Sequence, residues 1–450
     1  MAIVDNRKPI TNSFATGPPT RWSLGRLLPI VLLLWAITDI GLRFLPENWI
    51  RIEPIQVATR LPGRHSPFAP NLKLQVNTVV GEQALLANLP PTEDMPPLKF
   101  STDQLGFRLT PGATDEEQPQ VFVFKGDSFT FGGSLSDEDT FASALERQLG
   151  VRVYNAGKFF TDVDGLKELD WLMGQFKATH PTVICVYLES HKHRFLASYN
   201  SDLKAGAIPN GVLGHVGSRV LGAARYASYR DTALFSLRRY SAWWNISPLK
   251  ILCVRGYKRL YNGDVLPNES RDKLTVRRLP NQEVLLLDPE KVQNFSTRTD
   301  EEITTRTADY MGWMRDQLAA RGIDYWVVLL PDKESVYAAQ IMNRPNAENG
   351  SESTYLNYLN QLEGELARRN VKTVNALTIL RRTASEDWTT GNLSYFREDH
   401  HWNPRGVVRV AIAVTNALRA DGWQARNYDA APQLRASGGD NSTDSHASGQ

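Results

Sequence analysis

Residues 123–133 read VFKGDSFTFGG. A short apolar run ends at Gly126-Asp127-Ser128, and what that triplet is decides how the chain is read. It is either a strand running into a turn, or a strand end that presents a nucleophilic serine. A serine hydroxyl is a poor nucleophile at neutral pH, so the second reading needs a base and an orienting carboxylate elsewhere in the chain.

The surrounding pattern supplies the fold class. Val121–Lys125 is the first of five apolar runs, followed by 151–154, 182–188, 324–330 and 371–374. Helical spacing alternates with them over 137–149, where Asp137 or Asp139 can cap the start, and over 165–179, 302–322, 352–370 and 405–422. Alternation of this kind implies an α/β protein, with a five-stranded parallel sheet covered on both faces. Sites in such sheets lie at the carboxyl ends of the strands. Gly126-Asp127-Ser128 is at one such end, and Asn155-Ala156-Gly157 is at the next.

The chain has 450 residues, 42% hydrophobic and 22% charged, enough for a sizeable core. A formal net charge of +2, with Arg and Lys dispersed, gives no pull toward nucleic acid. Cys185 lies inside the apolar run TVICVYL and reads as a buried thiol. Pairing with Cys253 cannot be argued without geometry. Neither cysteine has metal-ligand spacing, so no metal is expected.

Residues 21–45, RWSLGRLLPIVLLLWAITDIGLRFL, hold the longest apolar stretch. Leu27–Leu45 would span about 28 Å as a helix, just enough to cross a bilayer. Asp39 and Arg43, four apart, can pair on one face. No small-residue cleavage site follows, which favours an uncleaved anchor over a removable signal peptide. Arg7, Lys8, Arg21 and Arg26 against Asp5 then leave the N-terminus in the cytoplasm. The expected organisation is a disordered stub (1–23), a transmembrane anchor (24–45), an extended Pro-rich lead-in (46–115) and a catalytic domain (116–427). That domain carries an insertion over 196–305, and a disordered tail follows (428–450). Within the insertion, 220–244 reads as two amphipathic helices and 276–295 as irregular or hairpin structure.

Of eight histidines, those in FREDHHWNPRGV (396–407) have the richest surroundings. Asp399 lies two residues before His401, so in extended backbone both side chains point to one side and the carboxylate can accept from Nδ1–H. Trp402 and Pro404 would stiffen this loop, and Asn403 can cap the helix that follows. A helix cap beside surface histidines would look similar. The strand-end serine tips the balance.

With these residues in place, the chain resembles the SGNH (GDSL-type) hydrolase superfamily. Gly126-Asp127-Ser128 matches its nucleophile block, Gly157 its second block, and Asp399 with His401 its last. More narrowly it is similar to the alginate O-acetyltransferase-like branch. Asp-x-His-Trp at 399–402, LLPDKESVY at 329–337 and the N-terminal anchor carry that likeness, and TDQLGFR (102–108) resembles the lead-in of many such chains. The Asp-x-His pair follows the serine here, in superfamily order, whereas in the alginate branch it precedes it. The superfamily's oxyanion-hole Asn has no counterpart in YLESHKHRF (187–195), where Glu189 and Arg194 stand instead.

The resemblance implies a three-layer, flavodoxin-like SGNH fold and a triad of Ser128, His401 and Asp399. Glu398, three before His401, is the other carboxylate at a family spacing. The oxyanion hole would rest on the backbone N–H groups of Ser128 and Gly157, with Asn155, and with Arg194, His191 or His193 as a substitute donor. Lys333, Tyr337, Arg397 and Arg194 would contact substrate. The implied activity is O-acetyl transfer to an exopolysaccharide at the periplasmic face of a bacterial inner membrane, through an acetyl-serine and without a cofactor. A membrane-bound O-acyltransferase would donate the acetyl group, and other polysaccharide synthesis and export proteins would be partners. An SGNH carbohydrate acetylesterase, or a non-catalytic scaffold, would carry the same motifs.

Overall fold

The computed structural model describes residues 24–42, parts of 68–112, residues 118–157 except 125, most of 165–191, and residues 274–293, 301–342 and 358–425. The expected stub, the expected tail, the two helices read over 220–244, Cys253, His193 and Arg194 lie outside the described residues.

Helix α1 (Leu24–Leu42) is the apolar segment read as a membrane span. Its Leu28, Leu32 and Leu33 side chains are about 60% exposed. Among the described residues no helix is long and apolar enough to cross a membrane. The transmembrane anchor expected over 24–45 stays a proposal.

The lead-in is more built than its composition suggests. Strand β1 (Lys73–Val76) pairs antiparallel with β2 (Leu98–Ser101), and a short helix α2 (Glu82–Leu86) lies between them. Arg108 fastens this layer to the catalytic core. Its buried guanidinium donates to Asp137 Oδ1 at 2.7 Å, and to the carbonyls of Gly132 (3.0 Å), Leu135 (2.6 Å) and Lys99 (3.1 Å). It also lies 4.1 Å over the Phe100 ring. Burying a guanidinium is tolerable only because each donor finds an acceptor.

The main sheet contains β3 (Val121–Phe124), β4 (Val153–Ala156), β5 (Thr182–Leu188), β8 (Asp324–Leu330) and β9 (Lys372–Asn375). The numbers β6 (Thr275–Arg278) and β7 (Val284–Leu287) belong to an antiparallel hairpin inside the expected insertion. The five strands are all parallel, in the order β4-β3-β5-β8-β9. Read as sequence this is 2-1-3-4-5, the flavodoxin-like arrangement. Every residue of β5 is buried, which requires cover on both faces of the sheet and explains its unbroken apolar run.

The covering helices follow the expected alternation. Helix α3 (Ser128–Phe131) opens at the end of β3, and α4 (Phe141–Leu149) leads into β4. The start of α4 is capped by Thr140, whose Oγ1 accepts from the Ser143 N–H at 3.3 Å. Asp137, an expected cap, is instead used by Arg108 and by the Ser101 N–H at 2.9 Å. Helix α5 (Gly165–Phe176) precedes β5, α6 (Glu301–Ala319) precedes β8, and a single turn, α7 (Lys333–Val336), follows it. Helix α8 (Tyr358–Arg368) packs on α6 and precedes β9. Helix α9 (Ala376–Thr390), not anticipated from sequence, begins where β9 ends and packs on α10 (Pro404–Ala420), which in turn packs on α4.

Two glycines set the geometry around Ser128. Gly126 has φ 131°, and a Cβ there would lie 1.8 Å from Thr130 Oγ1. A Cβ on Gly157 would lie 2.7 Å from the Phe131 nitrogen, so only glycine lets the end of β4 close against α3.

Replacing Arg108 by Met keeps the length of the side chain and strands three carbonyls and the Asp137 carboxylate. The expected loss is about 3–5 kcal/mol of unfolding free energy. Urea denaturation of the purified chain measures it.

Candidate active site

The sheet brings the expected serine, histidine and aspartate into one hydrogen-bonded line. Ser128 is the first residue of α3, and Asp127 caps that turn by accepting from the Phe129 N–H at 2.9 Å. The Ser128 hydroxyl lies 2.6 Å from His401 Nε2. On its other side His401 Nδ1 lies 2.5 Å from Asp399 Oδ1, an oxygen that also accepts the His401 backbone N–H at 2.9 Å. This fixes the tautomer: Nδ1–H donates to the carboxylate, and Nε2 is left to accept from the serine. All three residues are buried.

Local structure holds the loop in this shape. Asn403 Oδ1 accepts from the Gly406 N–H at 3.1 Å, with Pro404 at the first position of α10, so the helix starts at a fixed point three residues after His401. Trp402 is fully buried against Phe141 and Phe129, with ring centroids at 5.5 and 6.2 Å.

The electrostatics suit a base. Burial alone would lower the His401 imidazole, but the Asp399 carboxylate beside it overrides burial and holds it above its ordinary value. Burial would raise Asp399. The charge and hydrogen bond of His401 reverse that and hold it well below the usual carboxylate range. Glu398, the other candidate acid, is pushed up to about 7 by burial and by Asp94. Asp399 is the carboxylate in line.

His400 sits on the outer side of the pair. Its ring is 4.0 Å from that of His401, and its Nδ1 is 3.2 Å from Glu82 Oε2. Burial and the neighbouring His401 push it well below its ordinary value, so it donates to Glu82 as a neutral imidazole. Asp399, His400 and His401 are close enough together to suggest a metal site. Their ligand atoms are already engaged in the bonds just described, and the arrangement is explained without one.

The expected oxyanion donors are placed as follows. Gly157 packs against α3, but its N–H donates to Asn155 Oδ1 at 3.2 Å. Asn155 is wholly buried, and its Nδ2 has no hydrogen-bond partner among the described residues. Of the substitute donors, His191 is the one the structure describes. Its Nδ1 is 3.1 Å from Asp127 Oδ2, one residue from the serine. Glu189, at the position where the resemblance expects an asparagine, accepts the Asp332 N–H at 3.1 Å, and burial with the Asp332 charge raises it to about 7.

Lys333, Tyr337 and Arg397 are turned inward. Lys333 is fully buried and donates to Gln83 Oε1 (2.6 Å) and to the carbonyls of Asp399 (2.8 Å), Phe396 (3.2 Å) and Arg397 (3.4 Å). The Tyr337 hydroxyl accepts from the Ser394 N–H at 2.7 Å. Arg397 pairs with Asp94 at 3.1 Å and with Glu283. These bonds hold the loop 396–401 from behind.

Sequence reasoning missed the groups that complete Asp399. Its Oδ2 accepts from the Glu82 N–H at 3.0 Å and from the Ser134 hydroxyl at 3.4 Å. Ser134 Oγ also lies 3.1 Å from His401 Nδ1. The local signal for Ser134 was its place just after the nucleophile turn. Glu82 gave none.

A buried serine, a histidine with its tautomer fixed by an aspartate, and a strand-end position on a 2-1-3-4-5 parallel sheet together make the arrangement that the SGNH resemblance implies. Residues 290–440 match the family described as the SGNH hydrolase-like domain, acetyltransferase AlgX, so the resemblance read from the motifs is borne out. That match covers the Asp399–His401 loop and leaves Ser128 outside it. No curated protein matches the chain. Among solved structures, Est24, a carbohydrate acetylesterase from Sinorhizobium meliloti, is similar at 10% identity and a TM-score of 0.29, over 67% of this chain and 99% of its own. A likeness that loose carries no weight for mechanism.

Because His401 must be neutral to take the serine proton and its affinity for that proton is raised, reactivity should climb with pH through a limb centred above the ordinary 6.5. The rate of Ser128 labelling by a fluorophosphonate, followed against pH, measures this. Asp399→Asn should lower that rate on the order of 10⁴-fold, because Nδ1 loses its acceptor and the tautomer is no longer fixed.

Proposed function

We propose that this protein is an O-acetyltransferase that modifies hydroxyl groups of an exopolysaccharide through an acetyl-Ser128 intermediate. The observation that carries this reading is the Ser128–His401–Asp399 line, completed by a loop inside the segment that matches an acetyltransferase family.

Ser128 Oγ attacks the acetyl carbonyl of a donor ester while His401 Nε2 takes its proton. The C–O bond to the donor breaks, His401 returns the proton to the departing oxygen, and the acetyl group stays on Ser128. A sugar hydroxyl then attacks the acetyl-serine. Its proton passes to His401 and back to Ser128 Oγ, which leaves as the new ester forms. Asp399 stays ionised and stabilises the imidazolium in both halves. The developing oxyanion would be met by the Ser128 backbone N–H and by Asn155 Nδ2, the buried donor that has no other partner among the described residues. The Gly157 N–H would join them when its bond to Asn155 yields.

The setting proposed with this chemistry is the outer face of the cytoplasmic membrane. There a membrane-bound O-acyltransferase would supply the acetyl group and polysaccharide synthesis and export proteins would supply the acceptor. The exposed leucines of α1 support attachment to a membrane surface. The polymer itself is named by nothing in the chain beyond its class.

Incubating the full-length protein with an acetylated donor ester and oligosaccharide should give acetylated oligosaccharide, in an amount that rises with acceptor. Ser128→Ala should abolish it. Donor hydrolysis with no acetylated sugar at any acceptor concentration would make the protein an esterase instead. Undiminished transfer by Ser128→Ala would remove the serine from the mechanism.

A further inference from the structure

Residues 81–86 and Asp94 belong neither to the sheet nor to the segment that matches the family, yet they are bound along the base loop 396–401. The Glu82 N–H donates to Asp399 Oδ2, and the Ala84 N–H donates to the Glu398 carbonyl at 3.1 Å. Gly81 lies so close to Glu398 that a Cβ would sit 2.3 Å from its carbonyl oxygen. Asp94 Oδ2 accepts the backbone N–H groups of Arg397 (2.5 Å) and Glu398 (3.2 Å). Lys333 then joins strap, loop and sheet through one ammonium, bonded to Gln83 on one side and to the Asp399 carbonyl on the other.

We propose that residues 81–86, fastened by the Gln83–Lys333 bond, are a strap that positions the carboxylate of Asp399 against His401, and that Gln83 and Lys333 are positioning residues for the base. The proposal rests on the triad reading above and adds a component to it.

The physical argument starts from the carboxylate. An aspartate χ2 is a soft, broad torsion, so the bonds at Oδ1, both from His401, do not by themselves fix the plane of the group. The second oxygen must be held too, and a strap N–H holds it. That N–H is backbone and cannot wander with a side chain, provided that residue 82 itself is pinned. Gln83, next in the chain and buried, does the pinning. Its acceptor is a desolvated ammonium with three protons, here facing four acceptors. Losing Lys333 strips three loop carbonyls of their donor, and losing Gln83 cuts the strap's tie to that ammonium, so either frees Asp399 to turn. His401 then feels a less well-aimed carboxylate. Of the other groups around it, Ser134, His400 and Asp127 stay where they are, and Glu82 moves with the strap.

The test uses the full-length chain with Gln83→Leu, Lys333→Met and the conservative Gln83→Glu. The His401 imidazole is titrated by ¹H–¹⁵N NMR, which needs no turnover. Hydrolysis of 4-nitrophenyl acetate gives kcat and KM separately, and circular dichroism reports the fold. In folded Gln83→Leu the His401 midpoint should fall by about 0.5–1 unit toward the ordinary imidazole value. Its kcat should drop about 10-fold to 100-fold while KM stays within about twofold. Gln83→Glu, which keeps an acceptor for the ammonium, should restore both. Lys333→Met should behave as Gln83→Leu does. If it does not fold, Gln83→Leu decides alone. An unchanged His401 titration in folded Gln83→Leu overturns the proposal. So does a rise in KM at constant kcat, which would mean that these residues touch substrate, and so does a Gln83→Glu variant no better than Gln83→Leu. If the wild-type protein neither hydrolyses the ester nor labels at Ser128, the triad reading fails, and the titration still decides the strap.

Discussion

The hydrogen bond between Asp399 and His401 is the contact on which the rest of this molecule depends. A carboxylate taken out of water costs several kcal/mol unless it is paired and each oxygen is satisfied. Here that condition recruits distant parts of the chain: the imidazole and its own backbone at one oxygen, the Glu82 N–H and the Ser134 hydroxyl at the other. The lead-in, the turn after the nucleophile and the base loop meet because this one charge must be accounted for. Arg108 serves the same end at one remove, since it grips the carbonyls of Gly132 and Leu135 on either side of Ser134.

The parallel sheet makes such a meeting possible. Its strands end together, so loops far apart in sequence open onto one rim. Ser128 follows β3, Glu189 and His191 follow β5, and Asp332 to Glu334 follow β8. Much of that rim is charged and buried. Lys291 bridges to Asp332 at 2.8 Å, and Glu334 accepts the Asp288 N–H at 2.7 Å, so the hairpin segment after β7 is tied to the end of β8. The rim is thus largely occupied with holding loops, and the part left for chemistry is the short line from Ser128 to Asp399.

How far this could be read from the sequence depended on the range of each interaction. The strands were legible because burial on both faces leaves unbroken apolar runs, as in TVICVYL and DYWVVLL. The serine, histidine and aspartate were legible because each sits in a motif with a fixed local shape. Helix α9 was not, because Asn375 both ends β9 and caps the helix, accepting from the Leu377 N–H at 3.1 Å, so no loop signals the change. Glu82 and Gln83 were invisible because their partners lie 317 and 250 residues away, and a backbone N–H carries no sequence signature. Lys333, Tyr337 and Arg397 were seen, but their ties to the base loop were not. A polar side chain at a strand end looks the same in sequence whether it faces a ligand or ties down a loop.

One consequence concerns the order in which the chain is made. Ser128 and His401 are 273 residues apart, and the acid lies just before the histidine. At ~5–20 residues per second, a ribosome would need about 14–55 s to travel from one to the other. Through that interval residue 128 is an ordinary alcohol, whatever part of the sheet has already formed around it. The Ser128–His401–Asp399 line can therefore be completed only when nearly all of the domain is available to fold.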